Sequence, residues 1–79
     1  MEYDLAVDFM DMTAARRLWT RMTDARDGFV PIAGRHVIVG CDDVDPAVAQ
    51  ILSVDAEGRI ELEVLRGPVD AHRGLLASA

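Results

Sequence analysis

Ile60, Leu62 and Val64 alternate with Glu61 and Glu63 directly after the segment Asp55, Ala56, Glu57, Gly58. A two-residue period puts the apolar side chains on one face of a strand and the carboxylates on the other. Gly58 is placed to take positive φ in a four-residue hairpin turn, so the strand at 59–65 folds back on the apolar run from Ala47 to Val54. A hairpin with one apolar face needs a cover, and 79 residues must supply it. That length is close to the lower limit for a core built without disulfides or metal. An open sheet with an exposed apolar face is ruled out; closing the strands into a small barrel is the economical solution.

Other segments supply the wall. Tyr3, Leu5, Val7 and Phe9 alternate with Asp4, Ala6 and Asp8, which predicts a strand over 3–9. Val37, Ile38 and Val39 form a β-branched run ended by Gly40, and a shorter strand is expected at Phe29 to Ile32, around Pro31. Between them the period changes. Ala15, Leu18, Trp19, Met22 and Ala25 gather on an arc of roughly 120° when each residue turns about 100°, which predicts an amphipathic helix over 13–26. Asp11 or Thr13 offers an N-cap oxygen and Gly28 a stop. This helix would plug an open end of the barrel with Trp19 as its apolar payload. Gly67 and Pro68 break the last strand, and a short terminal helix is expected over 70–76. The expected fold is mainly β with one principal helix (α+β): a single domain, 1–79, with an N-terminal strand, then the helix, then barrel strands within 29–65. It is a small SH3-like barrel of 4–5 antiparallel strands in all.

Charge narrows the functions. Fourteen Asp and Glu face eight Arg, with no Lys, for a formal charge of −6, which repels phosphate backbones and anionic membranes over most of the surface. Nucleic acid is therefore disfavoured as a partner. A lone Cys41 excludes an intrachain disulfide, and no charged leader precedes an apolar run of signal or membrane length, so the expected location is the cytoplasm, with no membrane association. The charge is segregated, however. Arg16, Arg17, Arg21 and Arg26 stand against Asp24 alone between residues 16 and 26.

Gly34, Val37 and Val39, then a polar loop, then Ala49, Ile51, Val54 and Asp55, resemble the KOW-type opening of small SH3-like barrels in bacterial ribosome-associated and transcription proteins. The likeness covers roughly 34–65 and implies the barrel scaffold. KOW segments usually carry lysines and glycines in the loop that meets RNA; here that loop has Asp42, Asp43 and Asp45, and Ala49 stands where a glycine is usual. The inverted charge implies the scaffold without the RNA contact. The whole chain, with its acidic opening from Val7 to Met12, is also similar to short uncharacterised actinobacterial proteins.

The candidate sites follow from chemistry. Asp42, Asp43 and Asp45 are the densest set of hard oxygen ligands and are weak candidates for a metal; their spacing does not match an EF-hand loop, so no metal or other cofactor is expected. Cys41 beside these carboxylates lacks the positive field a catalytic thiolate needs, and strand alternation sets it on the opposite face from His36. Cys41, His36 and His72 match no diagnostic zinc spacing. Ser53 and Ser78 sit in no nucleophile motif, and Glu61 with Glu63 reads as a solvated strand face. Enzymatic activity is not expected. Arg16, Arg17 and Arg21, off the apolar arc of the helix, are the candidate partner-binding residues, because arginine offers planar bidentate donors to an acidic surface. The expected function is a protein–protein interaction or self-association module, a homodimer included. The alternatives are a nucleic-acid-associated barrel using the arginine face and a metal or small-ligand sensor using loop 42–45.

Overall fold

The structure, a computed structural model, describes residues 3–42 and 44–76. Five strands form one sheet among these residues: β1 (Leu5–Ala6), β2 (Arg17–Arg21), β3 (His36–Cys41), β4 (Val44–Val54) and β5 (Arg59–Val64), in the order β1-β3-β4-β5-β2. Single 3-10 turns lie at Phe9–Asp11, Met22–Asp24 and Val69–His72, and a four-residue helix, α1 (Arg73–Leu76), follows the last. The chain is β-rich, as expected, and the sheet is a curled half-barrel.

The β4–β5 hairpin forms where the alternation placed it. Ile60, Leu62 and Val64 are buried, and Gly58 turns the chain at φ 83°. Asp55 pins the turn: its Oδ1 accepts from the backbone N–H of Glu57 and of Arg59, both at 2.9 Å, and its Oδ2 accepts from Arg59 Nε at 2.9 Å. β3 pairs antiparallel with β4, and the register slips between Val39 and Cys41, opposite Asp45 and Pro46. Proline has no N–H to offer the ladder, so a slip is where β4 tolerates Pro46. The core joins alternate residues of these strands, with Val37, Val39, Ile51, Ile60, Leu62 and Val64 buried together.

The predicted helix over 13–26 is not formed. Residues 13–16 make a turn, with Arg16 N–H donating to the Thr13 carbonyl at 2.8 Å, and β2 then runs antiparallel to β5. Leu18 and Thr20 are buried while Arg17, Trp19 and Arg21 are exposed, so the segment has the two-residue period after all. The cause is tertiary: β5 presents a second edge whose N–H and C=O groups need a partner, and Arg17–Arg21, with its β-favouring Trp and Thr, fills it. Trp19 is 55% exposed, contrary to its expected place as a buried plug.

Other boundaries also change. The N-terminal strand is two residues, not 3–9, and its partner is parallel: Leu5 pairs with Val39 and Ala6 with Gly40. The sheet is therefore mixed rather than antiparallel throughout, because the long crossover from residue 7 to 35 returns the chain in the same direction. Phe29 to Ile32 forms no strand; Phe29 instead packs against the core from a loop. The terminal helix expected over 70–76 is realised as the 3-10 turn followed by α1.

The curl brings the two edges of the sheet together at one end. Leu5 bridges Ala25, Arg26 N–H donates to the Asp4 carbonyl at 3.0 Å, and Thr20 Oγ1 donates to the Ala6 carbonyl at 2.8 Å. The Arg26–Asp4 ion pair at 2.9 Å reinforces this seam. β2 lies at the edge of the ladder, and its outer face carries the arginines.

Candidate functional site

The arginines grouped by the sequence divide. Arg16 sits at φ 63°, the sole non-glycine with positive φ among the described residues. That conformation turns its side chain back along the end of β5, where Nε donates to the Val64 carbonyl at 2.9 Å and Nη2 to the Leu65 carbonyl at 3.3 Å. Arg16 is thus part of the framework. Arg26 is as well, paired with Asp4 and lying 5.7 Å from the centroid of the Phe29 ring.

Arg17 and Arg21 remain together, two residues either side of Trp19 on the outward face of β2. Strand alternation produces this row: the same geometry that buries Leu18 and Thr20 points their neighbours out. Trp19 stands opposite Glu61 of β5, Arg17 opposite Glu63, and Arg21 opposite Arg59. Arg17 Nη1 reaches Glu61 Oε2 at 3.7 Å, and the Arg59 guanidinium lies 5.8 Å from the Trp19 centroid, within cation–π range. Arg21 makes no ion pair among the described residues. It lines an open groove of about 410 Å³ with Met22, Glu57 and Arg59. The result is a half-exposed indole between Arg17 and Arg21 on β2, with Arg59, Glu61 and Glu63 beside them on the same outward face of β5.

Helical periodicity hid Trp19 and Arg59 as surface partners. The signal was present as Arg17, Leu18, Trp19, Thr20, Arg21, which alternates polar or large residues with smaller buried ones. Glu61 and Glu63 lie on the outer face of β5 as expected, and they meet β2 there.

The remaining candidates do not converge. The loop expected at 42–45 is largely strand, because β4 starts at Val44, paired with Cys41, and takes in the exposed Asp45; Asp42 accepts from the Tyr3 hydroxyl at 3.3 Å, and Asp43 lies outside the described residues. Among the described residues no three His, Cys, Asp or Glu side chains are arranged to hold a metal. His36 and Cys41 mark opposite ends of β3, roughly 16 Å apart along the strand. His72 Nε2 lies 2.6 Å from the Arg66 carbonyl, to which it donates as the Nε2–H tautomer. Two hydroxyl and carboxyl groups are perturbed. Burial, then the negative charge of Asp42, pushes the Tyr3 phenol above its ordinary value. Hydrogen bonds from the Arg59 backbone, then the Arg59 side chain and the Glu57 backbone, hold the Asp55 carboxyl below its ordinary value.

No helix among the described residues is long and apolar enough to cross a membrane. Comparison of the chain with models of known families, with curated proteins and with solved structures finds no match.

Proposed function

We propose that this chain is a non-enzymatic protein-interaction module, a small SH3-like barrel whose docking face is Trp19 with Arg17 and Arg21. The exposed indole of Trp19 carries the reading. Tryptophan and arginine are the residues whose burial most often dominates binding energy, typically by about 2 kcal/mol or more each at the centre of an interface. Trp19 contributes little apolar burial to this small protein while lying in a row rigidly held by β5. A binding role is further supported by the dispersal of the groups with catalytic potential, since His36 and Cys41 stand at opposite ends of β3 and His72 is engaged with a backbone carbonyl.

The test is a photo-crosslinking side chain placed at position 19 of the full chain in its native cells, with Ala56 in the exposed hairpin turn as control. A discrete adduct from position 19, absent from position 56 and lost on Arg17→Glu with Arg21→Glu, is expected. Identical adduct patterns from the two positions overturn the proposal.

A further inference from the structure

We infer that the groove between the 26–35 loop and the start of β3 binds a small organic monocarboxylate with a single-ring apolar body, its carboxylate seated on Arg35. Trp19 does not line this groove, and the inference stands apart from the docking face on β2.

Two glycine turns build the groove. Phe29 N–H donates to the Arg26 carbonyl at 3.1 Å with Gly28 at φ 82°, and Arg35 N–H donates to the Ile32 carbonyl at 3.1 Å with Gly34 at φ 93°. In each the glycine takes the third position, where a type II turn requires positive φ. The turns bracket the segment from Phe29 to Ile32 and set it up as one wall. Phe29 packs against the core, whereas Val30 is 69% and Ile32 45% exposed. The second turn is tied to β4, because Gly34 N–H donates to the Ile51 carbonyl at 2.7 Å and Ile51 N–H to the Arg35 carbonyl at 2.8 Å. Arg35 is thereby fixed at the mouth. Val37 and Ile51, both core residues, form the deep side. The groove holds about 300 Å³, the lower end of the range of small-molecule sites, which leaves room for one ring.

Charge selects the occupant. Arg26, Arg35 and Asp4 are the charged side chains on the lining. Asp4 is fully committed, since its Oδ1 accepts from Arg26 Nε at 2.9 Å and its Oδ2 from Ile38 N–H at 3.0 Å. Arg35 keeps its charge uncompensated: its side chain makes no ion pair, hydrogen bond or ring contact among the described residues. The other grooves differ, because the one beside Arg21 contains Glu57 and the one beside Arg16 contains Asp45. On a chain of net charge −6, a free guanidinium against an apolar wall suits an anion with an apolar body. One planar fork matches one carboxylate, with two parallel N–H···O bonds. A phosphate dianion would meet a single available cation here. The half-buried Phe29 ring favours an aromatic body, through offset or edge-to-face contact.

The probe is 3-phenylpropanoate, titrated into the full-length ¹⁵N-labelled protein at low salt. Saturable amide shifts are expected at Gly28, Val30 and Arg35 but not at Trp19, with a Kd of about 1 mM, as befits a one-ring ligand. The neutral 3-phenylpropanamide should bind at least tenfold more weakly. Arg35→Gln, an exposed substitution checked for native amide dispersion, should weaken the carboxylate at least fivefold, and Arg66→Gln should leave it unchanged. Absent saturation at about 20 mM, equal binding of the amide, or unchanged binding to the Arg35→Gln protein each overturns the inference. Displacement by an equal concentration of inorganic phosphate would show that the groove reads charge alone, and also overturns it. Tighter binding, by tenfold or more, of acetyl-Ala-Phe with a free carboxylate would assign the groove to a partner's chain terminus instead. A failure in any of these arms leaves the Trp19 docking face standing, because the position-19 crosslink is read at a different surface.

Discussion

The Arg16 Nε donates to the Val64 carbonyl at 2.9 Å, and it does so from a backbone held at φ 63°. The left-handed conformation costs a non-glycine residue roughly 1–2 kcal/mol, and the two hydrogen bonds from one guanidinium to the Val64 and Leu65 carbonyls offset that cost. Arg16→Ala keeps the strain and loses both bonds, so it should destabilise by about 2–3 kcal/mol in chemical denaturation. Arg16→Gly loses the same bonds but relieves the strain, and should be more stable than Arg16→Ala by about 1 kcal/mol. The reverse order would show that the backbone at this position is not strained.

Gly40 leaves room for Tyr3. A Cβ added there would lie 2.9 Å from Tyr3 Cδ2 and 3.3 Å from Cγ. Gly40→Ala should therefore cost about 1–2 kcal/mol, as overpacking does when a ring must shift. In a Tyr3→Ala background the same substitution should cost less than about 0.5 kcal/mol, a coupling that a double-mutant cycle reads directly. Equal costs in both backgrounds would disprove the contact.

Exposed Trp19 and buried Leu62 are neighbours across the β2–β5 ladder with opposite weights in stability. Trp19→Ala should change unfolding free energy by about 1 kcal/mol or less, whereas Leu62→Ala should cost about 2–5 kcal/mol. The chain has one tryptophan, so its fluorescence reports this position alone, and acrylamide should quench it readily in the folded state. A quenching-resistant, blue-shifted emission would restore the buried-plug reading.

The same logic applies to the single tyrosine. Burial, and secondarily Asp42, raises the Tyr3 pKa, so phenolate absorbance should appear above the ordinary range near 10. The folded state disfavours the ionised form; its contribution to stability is full below the unfolded pKa and is lost as pH rises through the folded one. Asp42→Asn should lower the titration midpoint only in part, since burial is the larger cause. A return to the ordinary value would make Asp42 the dominant cause instead.

Asp55 behaves with the opposite sign. Its carboxyl is held below the ordinary value near 4 by the Arg59 backbone N–H first, with help from the Arg59 side chain and Glu57. Its contribution is present above the unfolded pKa and is lost as pH falls through the folded one, so hairpin stability should drop in the acid range below about pH 4. Asp55→Asn should remove that portion of the pH dependence while lowering stability at neutral pH. An unchanged acid limb in urea titrations at several pH values would contradict the turn geometry.

Local sequence determined the β4–β5 hairpin, because Gly58 and the alternation of Ile60, Leu62 and Val64 with glutamates admit one conformation and one buried face. It also determined the β-branched middle of β3, the short terminal helix and the outward acidic row, but not the end of β3, which runs through Gly40 to Cys41 because Ala6 and Val44 pair there. Residues 13–26 satisfied two periods at once, a helical arc and the alternation of Arg17 to Arg21, and nothing local separates them. Only the tertiary structure decided, because the free edge of β5 makes the extended form the one that pairs its backbone and buries Leu18 and Thr20. That choice exposed Trp19, kept Arg17 and Arg21 on one row, and diverted Arg16 into the framework. The parallel pairing of β1 was equally invisible, since which neighbour two residues find depends on where a distant crossover ends. Candidate residues could thus be read from composition, but their division into framework and docking face was set by long-range strand pairing.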